Sequence, residues 1–398
     1  MRLVRRLLWP LSLPVVTGAC SETPFRSTVL YRDSAGITIA ESMGPNWKPH
    51  QVWSVDSIPI LDLATADVGV AHEFFVVEHA TRLDDGTIVV ANQGSGAIRA
   101  FSPSGQWQWS VGRRGEGPGE FDRLTHVAPF RGDSLMAFDY WLGRVTILTR
   151  DGRVARIMSL LNQEVRLHTL YPLSDSLFAG FVYPRGFSAG ATEGLYRMTQ
   201  HLVRLAATDG ALVDTVTEFA GFEGYLFGGG DMRPLFGRAG HVAVGQGRMV
   251  VGTSDAMEYQ VYSTSGRLER IVRVPEYDLA LSAAELSAER AAVLPDGMNA
   301  PPLYRDAVSA LPSPDTRPAY ADLVVDSEGF VWVAEFLGRT EADEPTDWEV
   351  FSSQGEWLGT VRLPARFRTD EIGPDYVLGI RRDEDDVEHV QMLRLKRL

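Results

Sequence analysis

The chain has 398 residues, a formal net charge of −14 and a single cysteine. The acidic balance argues against nucleic acid as a partner, because a negative surface repels phosphate and no basic stripe with interleaved aromatic residues occurs. One cysteine excludes an internal disulfide, so we expect the hydrophobic core alone to hold the fold together.

The first twenty residues have the pattern of an export signal. Arg2, Arg5 and Arg6 form a basic region, and an apolar run from Leu7 to Val16 follows. A run of about ten residues is too short to cross a bilayer, which takes about twenty. We therefore expect residues 1–19 to be removed as a signal peptide.

A lipidation motif ends this segment. Val16-Thr17-Gly18-Ala19-Cys20 resembles the lipobox of bacterial lipoproteins, in which the cysteine is lipidated and becomes the mature N-terminus. The resemblance implies a lipid anchor at Cys20 on a membrane of the cell envelope, periplasmic or outer, with residues 20–27 as a tether. The alternative is an ordinary cleaved signal whose boundary cysteine is incidental.

A four-strand unit is clearest between residues 113 and 160. A loop rich in glycine, with Pro118, comes first, since glycine permits positive φ and proline donates no ladder hydrogen bond. Short apolar runs bounded by turn residues then predict four strands. These predicted strands are His126–Phe130, Ser134–Asp139, Arg144–Thr149 and Arg153–Leu160.

The same layout recurs along the chain as a strand, a glycine turn and another strand. The turn glycines are Gly105, Gly152, Gly210, Gly266 and Gly355. A sixth unit is split between the two ends of the chain, with Tyr376–Ile380 and His389–Leu395 at one end and either Gly36–Glu41 or Gln51–Ile58 at the other. We predict an all-β, six-bladed β-propeller over residues 28–398, closed by an N-terminal strand that completes the C-terminal blade.

Several motifs carry a family resemblance. Gly115–Phe121, followed by Gly132–Leu135 and Asp139, resembles the repeat of bacterial six-bladed β-propeller lipoproteins with NHL-like repeats, in the TolB-like propeller group. Tyr376–Gly379 and Asp383–Val387 resemble their closing blade. The resemblance implies the fold but hardly a function, because members are binding proteins and scaffolds and relatives are lyases or lactonases.

One insertion interrupts the repeats between the fourth and fifth blades, at about residues 276–318. Ser282-Ala283-Ala284-Glu285 is a capping box that predicts a helix to about Leu294, and Pro302–Leu311 predicts a second helix. The two helices either add packing between blades or cover one mouth of the ring.

Two glycine motifs resemble catalytic loops without their context. Gly186-Phe187-Ser188-Ala189-Gly190 matches a nucleophile elbow, which needs a strand-to-helix turn in an α/β sheet. Gly228–Gly230 lacks the lysine of a phosphate-binding loop, so we interpret it as a turn. No complete catalytic set is visible.

Four histidines fall at or near one position of the repeat. His79, His126 and His168 each precede the opening residue of the next predicted strand by eight residues, and His241 fits with a shift of one or two. Neutral imidazoles from separate blades could meet near the ring axis and hold a metal.

Three polar residues end second strands at the same predicted mouth: Asn92, Asp139 and Glu335. With Asp139 and Glu335 as oxygen ligands, the four histidines would suit zinc or iron, and calcium is the third candidate. Without metal, Asn92, Asp139 and Glu335 could line a polar ligand pocket. In the third alternative, these side chains only cap the turn that follows each strand.

These observations favour a lipid-anchored, extracytoplasmic binding or scaffold module for an unknown protein or small-molecule ligand. The alternative is a metal-dependent hydrolase or lyase resembling lactonases, with its site at one mouth of the central channel.

Overall fold

The computed structural model describes residues 29–48, 51–66, 69–160, 166–183, 192–294 and 299–397, so Cys20 lies outside the described residues. These residues form 27 strands and three short α-helices. None of the described helices combines the length and apolar character that crossing a bilayer would require.

Three strands precede the first complete sheet: β1 (Val29–Ser34), β2 (Ile37–Ser42) and β3 (Ser54–Asp62), followed by the one-turn helix α1 (Leu63–Ala66). The first sheet contains β4 (Val77–Arg82), β5 (Ile88–Asn92), β6 (Ala97–Phe101) and β7 (Trp107–Val111). The second contains β8 (Leu124–Phe130), β9 (Ser134–Asp139), β10 (Arg144–Thr149) and β11 (Val154–Ser159). Each predicted strand of the second unit therefore lies within two residues of an observed one.

The third sheet contains β12 (Arg166–Ser174), β13 (Leu177–Tyr183), β14 (Gly194–Ala206), β15 (Leu212–Phe227) and β16 (Gly230–Met232). The fourth contains β17 (His241–Gly245), β18 (Arg248–Gly252), β19 (Glu258–Ser263) and β20 (Leu268–Arg273), extended by β2 and β1. Helices α2 (Ala283–Val293) and α3 (Pro302–Ala310) follow. The fifth contains β21 (Asp322–Val325), β22 (Val331–Ala334), β23 (Thr346–Phe351) and β24 (Trp357–Leu363). The sixth contains β25 (Phe367–Ile372), β26 (Tyr376–Arg382), β27 (Glu388–Lys396) and β3.

The five predicted turn glycines occupy one equivalent place, the hairpin between the third and fourth strands of a sheet. All five have φ between 77° and 87°, in the left-handed region that favours glycine. At Gly152 a side chain is also excluded by space, since a Cβ would lie 2.5 Å from Trp109 Cε3 of the first sheet. The repeated glycines thus set both the turn and the approach of neighbouring sheets.

Neighbouring sheets pack through their first strands and through shared apolar clusters. The first strands contact one another in the order β4, β8, β12, β17, β21 and β25, and β25 contacts β4. Each neighbouring pair of sheets, the sixth and first included, contributes buried side chains to a common hydrophobic cluster. This radial stacking of four-stranded antiparallel sheets is the architecture of a β-propeller.

The N-terminal strands join two different sheets. β3 runs antiparallel to β27, from the Gln391–Asp62 pair to the Lys396–Ser54 pair, so the later of the two candidate segments completes the C-terminal sheet. The earlier segment forms β2, which lies parallel to β20 at the outer edge of the fourth sheet.

The predicted insertion contains both predicted helices. Ser282 Oγ accepts a hydrogen bond from Glu285 N at 3.2 Å, and Glu285 Oε2 accepts one from Ser282 N at 2.8 Å, which is the predicted capping box. The helices pack on the extended hairpin β14–β15, where Leu235, Phe236 and Leu311 form the buried centre of a small cluster.

Candidate functional site

A cavity of about 580 Å³ lies at the centre of the molecule, lined by residues from the first strand of every sheet. Its size falls in the range of small-molecule pockets, about 300 to 1,000 Å³. Since side chains alternate along a strand, His79 and Thr81 of β4 both face this channel, as do His126 and Ala128 of β8. The residues that face it are unusually polar for inner strands.

The sixth sheet supplies a charged wall and binds the first sheet with it. Arg368 Nε donates to Asp370 Oδ1 at 3.1 Å, and Arg368 Nη2 donates to the carbonyl oxygens of Val77 and Glu78 at 2.9 Å each. Asp370 Oδ2 accepts a hydrogen bond from Ala80 N at 2.8 Å. A β-bulge between Thr369 and Glu371 makes Asp370 the extra residue of β25.

Glu371 extends this contact between the two sheets. Its Oε2 accepts hydrogen bonds from Thr81 Oγ1 at 2.5 Å and from Arg82 N at 3.2 Å, and Tyr376 OH donates to Oε1. Burial raises the pKa of the Glu371 carboxyl although these bonds act in the opposite direction.

Asp322, the first residue of β21, is the least satisfied of the channel carboxylates. Its side chain is exposed to the channel, and desolvation by the protein around the channel raises its pKa to about 6. Its Oδ1 accepts a hydrogen bond from the adjacent Leu323 N, and among the described residues it has no ion-pair partner. Burial likewise raises the pKa of Asp370 to about 6, against the attraction of Arg368.

The rings that the first three sheets contribute to the wall are uncharged at neutral pH. The rings of His79 and His126 lie 4.1 Å apart between centroids, and Tyr171 contacts His126 at 5.0 Å edge-on. Burial lowers the pKa of His79 to about 3 and that of His126 well below its usual value. Both imidazoles are therefore neutral at pH 7.

His79 and His126 are equivalent in register, as predicted. His79 pairs with Ala91 and His126 with Phe138, and each directly follows a β-bulge near the start of its strand. The shared bulge places both rings on the channel side.

His168 does not join them. In β12 it is itself the bulge residue, and Thr169 takes the position directly after the bulge. A second irregularity between Pro172 and Ser174 adds one residue to this strand, so counting eight residues back from the next strand points to the wrong place. The His168 ring instead stacks on Phe181, with centroids 4.9 Å apart.

His241 also lies elsewhere. It lines a second cavity of about 400 Å³ beside α2, with its ring 5.5 Å from that of Tyr320. Its Nε2 is buried without a hydrogen-bond partner among the described residues. Burial, with help from Arg233 and Arg197, lowers the His241 pKa to about 4.

Asn92, Asp139 and Glu335 hold backbone rather than line the channel. Asp139 Oδ2 accepts from Asp122 N at 2.8 Å and from Arg123 N, while its Oδ1 accepts from Leu142 N at 2.8 Å. Asn92 Oδ1 accepts from Phe75 N, and Glu335 Oε1 accepts from Asp347 N. Of these bonds, the one from Leu142 caps the turn directly after its strand, as in the turn-capping alternative, and the others come from more distant segments.

The predicted metal ligands are thus not brought together as one set. His79 and His126 meet, whereas His168, His241, Asp139 and Glu335 each have other surroundings. Throughout the part of the chain that the structure covers, no group of three or more His, Cys, Asp or Glu side chains is placed to hold one metal ion.

Two other motifs have simple outcomes. Gly228 and Gly229 form the turn between β15 and β16, with φ of 56° and 77°. The segment Gly186–Gly190 lies outside the described residues.

Sequence reasoning missed the charged wall because it compared the sheets for a shared pattern. Asp322 is in the fourth pair from its hairpin, as His79 is in β4, but it is a carboxylate where the pattern had an imidazole. A usable signal was present in Arg368-Thr369-Asp370-Glu371, since three charges in four residues are unusual in the innermost strand of a sheet.

No family model matches this chain, and no curated protein matches it by sequence. Several solved structures resemble it in their three-dimensional fold. A member of the duf4221 family from Bacteroides vulgatus has a TM-score of 0.51 at 10% identity, covering 87% of this chain and 99% of its own. A gluconolactonase from Xanthomonas campestris has a TM-score of 0.43 at 14% identity, covering 81% and 87%. The calcium-binding protein regucalcin from Agrobacterium tumefaciens has a TM-score of 0.42 at 10% identity, covering 87% and 96%. The first similarity shows a shared fold and, at this identity, nothing about activity.

Proposed function

We propose that the protein is a lipid-anchored β-propeller of the cell envelope that binds a small polar ligand in its central channel. The observation that carries the proposal is the 580 Å³ cavity whose wall holds carboxylates, a guanidinium, two neutral imidazoles and a phenol. Ionisable groups with displaced pKa values that gather around a cavity mark a candidate binding site.

The proposed scaffold is a closed ring of six blades with NHL-like repeats. Support comes from the six sheets, from the contact of β25 with β4 and from the pairing of β27 with β3. A closed ring leaves only short, protected sheet edges and holds the channel residues of separate blades in fixed relation.

The binding proposal is tested by filling the channel. Ala128 lines the cavity, so Ala128→Trp should occupy its volume, whereas Ala211→Trp places the same side chain on an exposed hairpin of the third sheet. A mixed panel of sugars, amines and carboxylates is screened by saturation-transfer NMR. Signals that persist in Ala128→Trp report non-specific binding. We expect at least one signal of the wild-type protein to be lost in Ala128→Trp and kept in Ala211→Trp. Identical spectra for all three proteins would contradict the proposal.

The anchor is proposed from the N-terminal sequence. Labelling with a fatty-acid analogue in a bacterial host should mark the wild-type protein and not Cys20→Ala. Equal labelling of the two would favour an ordinary cleaved signal.

A metal-dependent hydrolase or lyase stays the alternative prediction, with the His79–His126 pair as its remaining support. Elemental analysis of purified protein separates the two: a stoichiometric metal that disappears in His126→Phe would favour the enzyme.

A further inference from the structure

The charges of the channel wall do not balance around Asp322. Within the part of the chain that the structure describes, Arg368 is the one guanidinium or ammonium group that lines the cavity, and it already bonds Asp370 and two backbone carbonyl oxygens. Asp322 and Asp370 repel each other, and Glu78 lies in reach of the same guanidinium. Outside the cavity, Arg123 attracts Glu78 while Glu388 repels it. Arg368 also attracts Asp322, so one positive group is shared by Asp322, Asp370 and Glu78, and Asp322 has no ion pair of its own among the described residues.

His126 provides an independent sign of a ligand. Only 6% of its surface is exposed, it lines the cavity, and its ring makes no hydrogen bond to any described residue. A neutral imidazole has one donor and one acceptor nitrogen, with which a ligand in the cavity could form hydrogen bonds. Its acceptor nitrogen suits an N–H donor.

The shape and lining of the cavity favour an organic molecule over a metal ion. A cavity of about 580 Å³ is far larger than one ion, and hard cations demand six or more oxygen ligands around them. Tyr171, beside His126 in the lining, instead offers an aromatic ring of the kind that attracts organic cations. An anion would meet the unbalanced carboxylates.

Resting on the proposed binding function, we infer that the channel ligand is an organic cation, with its ammonium group against Asp322 and its apolar body on the His126–Tyr171 wall. The ammonium group would supply the missing counter-ion, and a second N–H could be accepted by His126. The bound state gains most where the free protein is least satisfied.

The test uses three probes of one shape and different charge: benzylamine, benzyl alcohol and benzoate. Calorimetry with the full mature protein should detect benzylamine at least about tenfold tighter than the other two, a difference of about 1.4 kcal/mol. Asp322→Asn should abolish this preference. The matched change Asp385→Asn, at an exposed hairpin tip, should leave it intact.

His126→Phe is a second variant that keeps a ring and removes the nitrogens. It should weaken benzylamine severalfold while leaving benzyl alcohol unchanged, so the inference does not depend on the folding of one variant.

Equal affinity for the alcohol and the amine, tighter binding of benzoate, or unaltered amine binding in Asp322→Asn would overturn the inference. Absence of benzylamine binding at about 10 mM would overturn it too. In each case the channel-filling comparison still decides the proposed binding function, because its panel includes ligands of every charge.

Discussion

The outer and inner ends of the sixth sheet differ sharply in what they bury. At the outer end, β3 is flanked by Trp53 and Leu63, of which 9% and none of the surface is exposed. Trp53 packs into the cluster shared with the fifth sheet and Leu63 into that shared with the first. At the inner end, β25 carries Arg368 and two buried carboxyl groups with raised pKa values.

The contrast separates stability from binding along a single sheet. Burying apolar surface stabilises by about 25 cal/mol per Å², whereas burying carboxylates without full compensation costs free energy. The outer strand can therefore supply stability that the inner strand gives up for a polar channel wall. Changes at the two ends should have opposite signs.

Loss of the outer strand should have the largest effect. A mature chain lacking residues 29–62 loses β3, Trp53 and its pairing with β27, so we expect no cooperative thermal transition by circular dichroism. A chain lacking only residues 29–42 loses the β1–β2 pair on the fourth sheet and should still melt cooperatively. Cooperative melting of both, at one temperature, would contradict the assignment of closure to β3.

Shortening one buried side chain next to the outer strand should have the second-largest effect on stability. Leu63→Ala removes a fully buried side chain and should lower the free energy of unfolding by about 2 to 5 kcal/mol in a urea titration. Ile58→Ala, within β3 but at a side chain that is 79% exposed, is the control and should stay within about 0.5 kcal/mol. Similar effects from both changes would show that β3 does not depend on its anchors.

A change in the charged wall of the channel should have the smallest effect on stability, and it should stabilise the fold rather than destabilise it. The pKa of Asp322 rises from its ordinary 3.8 to about 6 on folding. Between these values the folded protein binds more protons than the unfolded chain, so this contribution to stability falls as pH rises from about 4 to about 6. The pKa of Asp370 is raised in the same direction, whereas Arg368 and Tyr171 keep their charge states across this pH window.

Asp322→Asn should therefore raise the melting temperature at about pH 7.5, where the unpaired carboxylate is ionised, and the gain should shrink at about pH 4.5. Differential scanning fluorimetry at the two pH values measures this. A lower melting temperature at pH 7.5, or an equal shift at both, would mean that Asp322 stabilises the fold.

Local patterns predicted the repeats well because local chemistry determines them. The strands of the second sheet and the five hairpin glycines follow from apolar alternation and from φ values that favour glycine. The same rules left open which N-terminal segment completes the last sheet, since Gly36–Glu41 and Gln51–Ile58 alternate similarly. Only pairing across the whole chain distinguishes β2 from β3.

The candidate site was less predictable because it depends on single-residue irregularities. One extra residue in β12 moved His168 out of the register shared by His79 and His126. Asp370 reaches the first sheet only because it is a bulge residue. The long β14–β15 hairpin, which packs on α2 and α3, carries no sequence mark of its extra length.

The pairing of β3 with β27 also imposes a delay during synthesis, because β3 is made long before its partner strand. Asp62 and Gln391, which bond each other across these strands, are separated by 329 residues. At about 5 to 20 residues per second, β3 leaves the ribosome roughly 15 to 65 s before its partner exists. During that interval the strand is a free edge, and its sequence suits the delay: Pro59 interrupts the hydrogen-bond ladder, and Asp56 and Asp62 add charge near its ends. The sixth sheet therefore stays incomplete until β27 is made, and the sequence of β3 disfavours pairing with other chains in the meantime.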